Sequence, residues 1–478
     1  MSEQIASTPR PTGSKARMTY IEFLDESPMT PFLWLFFIGV AVANLLDGMD
    51  FQMVAYGLPG IIKEFHLNPA QAGGVASIGN FGFMTGTVVF ALLSDRFGRK
   101  PLFTWVLLVF AFGSFLTAIA PSYHSLLVSR FICGMGIGAE PPVSTAILAE
   151  YAPRKYRHIF CGMMPFIFSV GWIVAALLSI WCIPQWGWRS IFWFGIAPVF
   201  LIIAVRYFLP ESIRWLLTKG RTEEAGRIAN DLALRQGRTD IELVAPVTPK
   251  EHFKLGFGQQ LRLLGKFWAP GVLLIFFLFC FYVAVWGMNV WLPTIFVRQG
   301  FTLIRSFNYT LMIFSVAPFA QIIGVWLEER MQRKYAILLI TIVGMALFIC
   351  FGLSFQYHWP VKVLVGSQVL ETLVINGVIA VFYTLAPEVF PTPVRSLGFG
   401  LVQALGRSGA VVGPLALGLF LKFGTQISSI IYYFAAPLII AAILLAIFFK
   451  QDPRQRSLES VTSGVSQKEE TSGFATAG

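Results

Sequence analysis

Apolar residues along this chain come in long runs, with the polar residues gathered between them. Twelve runs stand out, at about 32–58, 71–93, 101–120, 124–149, 159–182, 188–208, 268–297, 307–328, 334–355, 361–386, 397–421 and 428–449. A run of about 20 apolar residues is what a helix needs to cross the hydrocarbon of a bilayer. The pattern therefore predicts an all-α membrane protein of twelve transmembrane helices, divided six and six by the polar stretch 209–267. The expected organisation is a cytoplasmic N-terminal tail over 1–30, a six-helix bundle over 31–208, a cytoplasmic central loop over 209–267 and a second bundle over 268–449. A C-terminal tail over 450–478, rich in Ser, Thr, Gly and charge, is expected to be disordered. Within the central loop, Pro210–Leu216 and Gly220–Ala225 read as short surface helices.

Composition agrees with a membrane protein. Only 13% of the 478 residues are charged and 56% are hydrophobic, against about 25% charged in an ordinary soluble protein. The net charge of +11 is no sign of nucleic-acid binding, because the basic residues are concentrated in one set of loops. If the N-terminus is cytoplasmic, Arg96, Arg99, Lys100, Arg154, Lys155, Arg157, Arg330, Arg333, Lys334, Arg395 and the basic central loop all lie inside. By the positive-inside rule both termini are cytoplasmic. Met1 to Thr30 has no short apolar core with a cleavage site, so the first span is expected to act as the insertion signal.

Little points to an enzyme. The five cysteines lie in apolar runs without a C-x-x-C spacing, and there is no phosphate-binding loop, G-x-S-x-G or paired His–Cys or His–Glu metal spacing. No cofactor or metal is expected; a proton gradient is the expected driving force.

The costly residues are the polar ones inside the runs. Asp47 and Asp50 lie three apart in the first run, so they project to one side of a helix. Each carboxylate in a span costs roughly 2.5–3.5 kcal/mol on insertion scales. They either pair structurally with a neighbouring helix or face a polar cavity where they carry protons or bind solute. Further spans hold Arg130, Glu140, Glu371, Arg407, Asn289 and Gln403. Glu140 precedes Pro141-Pro142, where helix hydrogen bonding is interrupted, and suits either a second titrating group or a partner of the bend. Arg407 stands among small residues, Gly406, Ser408 and Gly409. Its guanidinium suits bidentate capture of a carboxylate, or a structural pair with Glu371. Trp286 and Tyr383 offer aromatic faces to such a solute, although aromatic residues make up 15% of the chain.

The two halves repeat one another. Asp95-Arg96-Phe97-Gly98-Arg99-Lys100 follows the second run and Glu329-Arg330-Met331-Gln332-Arg333-Lys334 follows the eighth. Glu150-x-x-Pro153-x-x-x-Arg157 follows the fourth, and Glu388-x-x-Pro391-x-x-x-Arg395 the tenth. Gly48-Met49-Asp50 has a neutral echo in Gly287-Met288-Asn289. Three echoes in order argue for duplication. The acids and arginines of these loops, Asp95, Arg96, Arg99, Glu150, Arg157, Glu329, Arg333, Glu388 and Arg395, are expected to form an inner-face network that breaks when that side opens. Glu150 with Arg157, and Glu388 with Arg395, are the expected partners. Gly98 is expected to provide the tight turn.

These features resemble the major facilitator superfamily over about residues 30–450. The Asp95–Lys100 loop, Arg130-x-x-x-Gly134-x-Gly136-x-Gly138 and Pro210-Glu211-Ser212-x-Arg214-Trp215-Leu216 carry the resemblance. Ala91 and Gln332 depart from it, both standing where glycine is usual. Asp47-Gly48-Met49-Asp50 is similar to the D-G-x-D signature of the aromatic acid/proton symporters. Sialic acid and nicotinate carriers are related, and Trp186-Gly187-Trp188-Arg189 is similar to the former. The resemblance implies a bacterial inner-membrane carrier, working as a monomer, that imports a small organic acid with protons. Asp50, Asp47, Arg130 and Glu140 would handle protons; Arg407, Asn289, Trp286, Tyr383, Glu371 and Gln403 would bind solute. Sugar/proton symporters pair an acid of helix one with the arginine of this helix-four motif, which implies Asp50 with Arg130. Depth agrees: Asp50 lies ~12 Å and Arg130 ~9 Å from the outer ends of their predicted runs, at 1.5 Å per residue. The rival solutes are sialic acid, a sugar acid or nicotinate; the rival class is a membrane sensor that no longer transports.

Overall fold

A computed structural model describes residues 16–208, 210–236, 238, 241–245, 257–265, 268–391 and 394–449. Every predicted run is helical. The first five spans are Pro31–Phe65, Pro69–Phe97, Arg99–Ala118, Tyr123–Tyr151 and Arg154–Trp186. The sixth is broken into Arg189–Phe192, a 3-10 turn at Phe194–Ile196, and Pro198–Phe208. The seventh comprises Trp268–Phe281, a π-helical turn at Tyr282–Trp286, Gly287–Asn289 and Leu292–Arg298. The eighth is Leu303–Ser315 with Ala317–Arg330, and the ninth is Arg333–Gln356. The tenth is Val361–Ile375 with Gly377–Glu388, and the eleventh is Arg395–Gly406 with Gly409–Lys422. Ile427–Phe448 is the twelfth. Breaks in the seventh, eighth, tenth and eleventh spans free backbone groups, which a membrane tolerates only against protein or a cavity.

Twelve spans return the chain to the side from which it set out, here called the near side; the opposite side is the far side. The first helix outruns its apolar segment, because Lys63 and Glu64 continue it to Phe65 before His66 closes it in a left-handed turn at φ 50°.

Glycine sets how closely spans approach. A Cβ on Gly48 would lie 2.1 Å from the Phe168 carbonyl oxygen, and one on Gly171 would lie 2.3 Å from that of Leu45. The first and fifth spans therefore touch backbone to backbone at the D-G-x-D segment. In the fourth span Gly134 and Gly138 face the second span, while Gly136 between them faces the third. The G-x-G-x-G spacing is thus a packing device for two neighbours. Gly48→Val is expected to destabilise the fold by at least the ~1–3 kcal/mol typical of overpacking. Gly39→Val, at a position with nothing within 4 Å of a new Cβ, should be tolerated. Thermal unfolding of the two variants in detergent tests this, and equal midpoints would remove the argument.

On the near side the tail and central loop do more than the sequence suggested. Strand β1, Ala16–Thr19, pairs in parallel with β2, Ile241–Val244. The helix Tyr20–Glu26 packs with Ile213–Thr218 and Thr222–Arg235 around Phe23, Leu24, Ile213, Leu216, Ala225 and Ala229. Asp25 ties this unit to the first bundle by accepting from Arg157 at 2.5 Å, and within the unit it accepts from Arg214 at 2.7 Å. Runs of three or four apolar residues drive this, too short to register beside twelve membrane spans. The tail 450–478 lies outside the described residues.

The bundles meet along a seam. Ser77 Oγ of the second span donates to the Val411 carbonyl of the eleventh at 2.6 Å. A Cβ on Gly73 would lie 2.5 Å from Pro414 O, and one on Gly418 would lie 2.4 Å from Pro69 O. Ring pairs Tyr56–Phe307 (5.2 Å), Phe51–Trp286 (4.8 Å), Trp172–Trp286 (5.4 Å) and Trp172–Phe314 (5.4 Å) cross the same seam. These contacts lie at the middle of the spans or towards the far side, so the far half of the seam is shut.

Candidate solute and proton site between the bundles

The first span brings Asp50 to Arg130 of the fourth. Asp50 Oδ2 accepts from Arg130 Nη2 at 2.9 Å, with both side chains at most 3% exposed. Ser114 Oγ donates to Asp50 Oδ1 at 2.8 Å, and Cys133 Sγ lies 3.2 Å from Oδ2. The Phe192 ring covers the guanidinium, its centroid 5.3 Å from Cζ. The expected pair is present, although the first helix runs on to Phe65, beyond its predicted apolar run. Measured from Phe65, Asp50 lies roughly 22 Å from the far end of its helix at 1.5 Å per residue.

One turn towards the near side is a second acidic group. Glu140 receives Asn44 Nδ2 at 3.2 Å and a short bond from Ser144 Oγ. Asp47 lies within electrostatic reach of Glu140 and Asp50, yet neither of its buried oxygens has a hydrogen-bond donor. Glu140 is itself an acceptor, so a hydrogen bond between the two carboxyls requires a proton on one of them.

In the second bundle Arg407 falls at the break of the eleventh span, between Gly406 and Ser408. Its Cζ stands 3.5 Å from the ring centroid of Phe83 in the second span, and 5.5 Å from that of Tyr282 in its own bundle. Its buried Nε has no partner, and among the described residues no carboxylate pairs with it. Gln403, one turn earlier, places its Oε1 3.5 Å from Tyr383 Oη. Trp286 sits at the π-helical turn against Phe51 and Trp172, and Asn289 is buried three residues on.

Glu371 does not join this group. It is buried, accepting from Gln368 Nε2 at 2.7 Å and Thr372 Oγ1 at 3.3 Å, so the alternative of an Arg407–Glu371 pair is not realised. A cavity lined by Phe51, Asn80, Phe83, Arg130 and Val290 lies beside the pair and has about 20 Å³ of room for water centres. That is enough for about one water. Nothing in the sequence distinguishes Phe51, Phe83, Trp172 and Tyr282 among its 46 Phe, 13 Trp and 13 Tyr.

The near-side network differs from its expected pairing. Glu150 accepts from Arg99 at 3.1 Å rather than from Arg157, which is drawn off to Asp25. Glu388 pairs with Arg333. The two halves thus do repeat, as Arg99–Glu150 and Arg333–Glu388. Arg395 Nε donates to the Phe390 carbonyl at 3.3 Å. Glu329 is exposed; the neighbouring Glu328 is the buried acid, bonded to Arg333 Nε at 3.1 Å and Thr384 Oγ1 at 2.8 Å. A shift of one residue turns a helical side chain by about 100°, which decides which acid faces inward. The side chains of Asp95 and Arg96 lie outside the described set. Gly98 does turn at φ 96°, and Glu211 caps the third span there, accepting from the Arg99 amide at 2.9 Å. Glu328→Gln is expected to lower stability by about 1–3 kcal/mol, and Glu329→Gln by less than ~0.5 kcal/mol. Chemical denaturation in detergent would show the reverse order if Glu329 were the clamp.

The two six-helix bundles have the major facilitator fold, and the family that the chain matches is one of transporters, not enzymes. The chain belongs to the sugar (and other) transporter family, whose pattern matches residues 38–464. It is 28% identical to the niacin transporter NiaP of Acinetobacter baylyi over 446 residues, covering 93% of this chain and all of that one. It is also 28% identical to the 4-hydroxybenzoate transporter PcaK of the same organism over 437 residues, covering 89% and 93%. The inward-open xylose transporter XylE of E. coli superposes with a TM-score of 0.69 at 15% identity, covering 90% of this chain and 99% of that one. At that identity the likeness concerns the fold.

Proposed function

We propose that this protein imports a small aromatic carboxylate together with protons across a bacterial inner membrane, with its termini in the cytoplasm. One observation carries the reading. Each bundle contributes an arginine to the interior, and Arg130 has its carboxylate while Arg407 has none. A solute carboxylate supplies the missing acid through two parallel N–H···O bonds to the guanidinium. Gln403, Tyr383, Tyr282 and Trp286 then form the wall against which an aromatic ring packs. Relatives named for niacin and 4-hydroxybenzoate support this solute class.

Asp50 is the coupling group. In this reading it exchanges the coupled proton as its pair with Arg130 forms and breaks during the rocking of the bundles. Asp47 and Glu140 provide a second place for a proton. The positive-inside bias supports the orientation, and the shut far half of the seam then corresponds to a carrier closed to the outside.

Uptake into proteoliposomes of labelled 4-hydroxybenzoate, nicotinate, sialic acid and a neutral sugar, with and without an imposed pH gradient, tests the reading. Accumulation of one of the aromatic acids, driven by external acid, is expected. Gradient-independent equilibration would remove the proton, and accumulation of sialic acid or the sugar alone would remove the aromatic carboxylate. Binding without any transport would favour a sensor.

A further inference from the structure

Phe83 is the one group from the first bundle whose ring is seated on Arg407 among the described contacts of that guanidinium. The two residues come from different bundles, so their contact exists only while the second and eleventh spans are together. Tyr282, the other ring over this cation, belongs to the same bundle as Arg407 and moves with it. Phe83 is 4% exposed, and its backbone is locked against the fourth span: a Cβ on Gly138 would lie 2.0 Å from the Phe83 carbonyl oxygen. The ring is thus held by the bundle that approaches Arg407, not by the one that carries it.

We infer that Phe83 is a positioning residue for Arg407, covering the unpaired cation so that the empty carrier can close its far side. The inference rests on the reading of Arg407 as the solute's carboxylate site. Closing the seam strips water from a guanidinium that has no acid, and this is unfavourable unless something replaces the water. The negative face of an aromatic ring does so at the buried Nε side of the half-buried Arg407, and a cation–π contact there shifts such an equilibrium by several-fold to about tenfold. When solute is bound, its carboxylate neutralises the guanidinium at its N–H edge. Closure then no longer depends on Phe83. The residue separates the empty half of the cycle from the loaded half without touching solute chemistry.

Ala76, on the second span at the seam and 5% exposed, is a reporter of far-side opening. Right-side-out membrane vesicles carrying Ala76→Cys would be treated with an impermeant maleimide, and labelling at position 76 read by mass spectrometry. With Phe83→Leu added, solute-free labelling is expected to quicken about tenfold. Phe83→Tyr, which keeps the aromatic face, should label at the parental rate. Saturating 4-hydroxybenzoate or nicotinate, whichever is transported, should return the Phe83→Leu variant to the rate of the loaded parent. Equal solute-free rates for Phe83→Leu and its parent would overturn the inference, as would an acceleration of the same size with solute bound. An equally fast Phe83→Tyr would trace the effect to packing and overturn it too. If the parent transports neither acid, the solute reading fails by itself, while the solute-free arms still decide the role of Phe83.

Discussion

Asp50→Asn is expected to abolish accumulation driven by a pH gradient while solute exchange across the membrane continues. The pair it removes is buried on both sides, with Asp50 at 0% and Arg130 at 3% exposure. Asparagine keeps the shape of a protonated aspartate and can still accept from Ser114. It cannot give up a proton, so the carrier is left in a permanent imitation of its loaded form. Loaded carrier can shuttle solute in both directions, but it has lost the step that ties solute to the gradient. Leaving Arg130 without its acid is itself destabilising, by about 3–5 kcal/mol for a fully buried pair. The double variant Asp50→Asn with Arg130→Gln relieves that loss and should show the same uncoupling at near-parental stability. Counterflow and gradient-driven uptake in the same proteoliposomes separate the outcomes. Accumulation that survives in Asp50→Asn, or exchange that vanishes in the stable double variant, would each end the assignment.

Arg407→Lys is expected to weaken solute binding by tenfold or more with little change in stability. Lysine keeps the charge but not the planar fork that meets both carboxylate oxygens. A hydrogen bond to a charged group contributes about 1.5–3 kcal/mol, and one such bond is lost. The buried Nε without a partner marks a position with unused hydrogen-bonding capacity. A structural role predicts the opposite split, with the unfolding midpoint falling and affinity unchanged. Equilibrium binding beside thermal unfolding on one preparation distinguishes them.

The site was legible to different degrees. Asp50 with Arg130 could be anticipated because two charges at mid-membrane depth each need a partner, and few partners exist. The near-side clamps were legible as a repeated pattern, but their pairing was not. Arg157 could reach toward Glu150 by sequence spacing, yet a helix from the N-terminal tail places Asp25 closer to it. Glu328 and Glu329 are adjacent in sequence, and only the rotation of the eighth span assigns one to Arg333 and the other to solvent. The seam aromatics were invisible for a related reason: Phe83 is one of 46 phenylalanines until the eleventh span sets Arg407 against it.

By itself the sequence determined the twelve spans, their division into two halves and the presence of charges that the membrane would expel unless they were used. Those properties follow from local composition and helix period, because the solvent around each span is hydrocarbon and every backbone group must bond within its own helix. Only the tertiary structure decided which acid holds which arginine, that Glu371 stays apart from Arg407, and that Phe83 covers that cation. Those outcomes depend on helix rotation, on glycine-set distances such as Gly48 against Phe168, and on breaks within the spans of the second bundle. Each is a relation between segments far apart in the chain, where an ångström or a quarter-turn changes the partner.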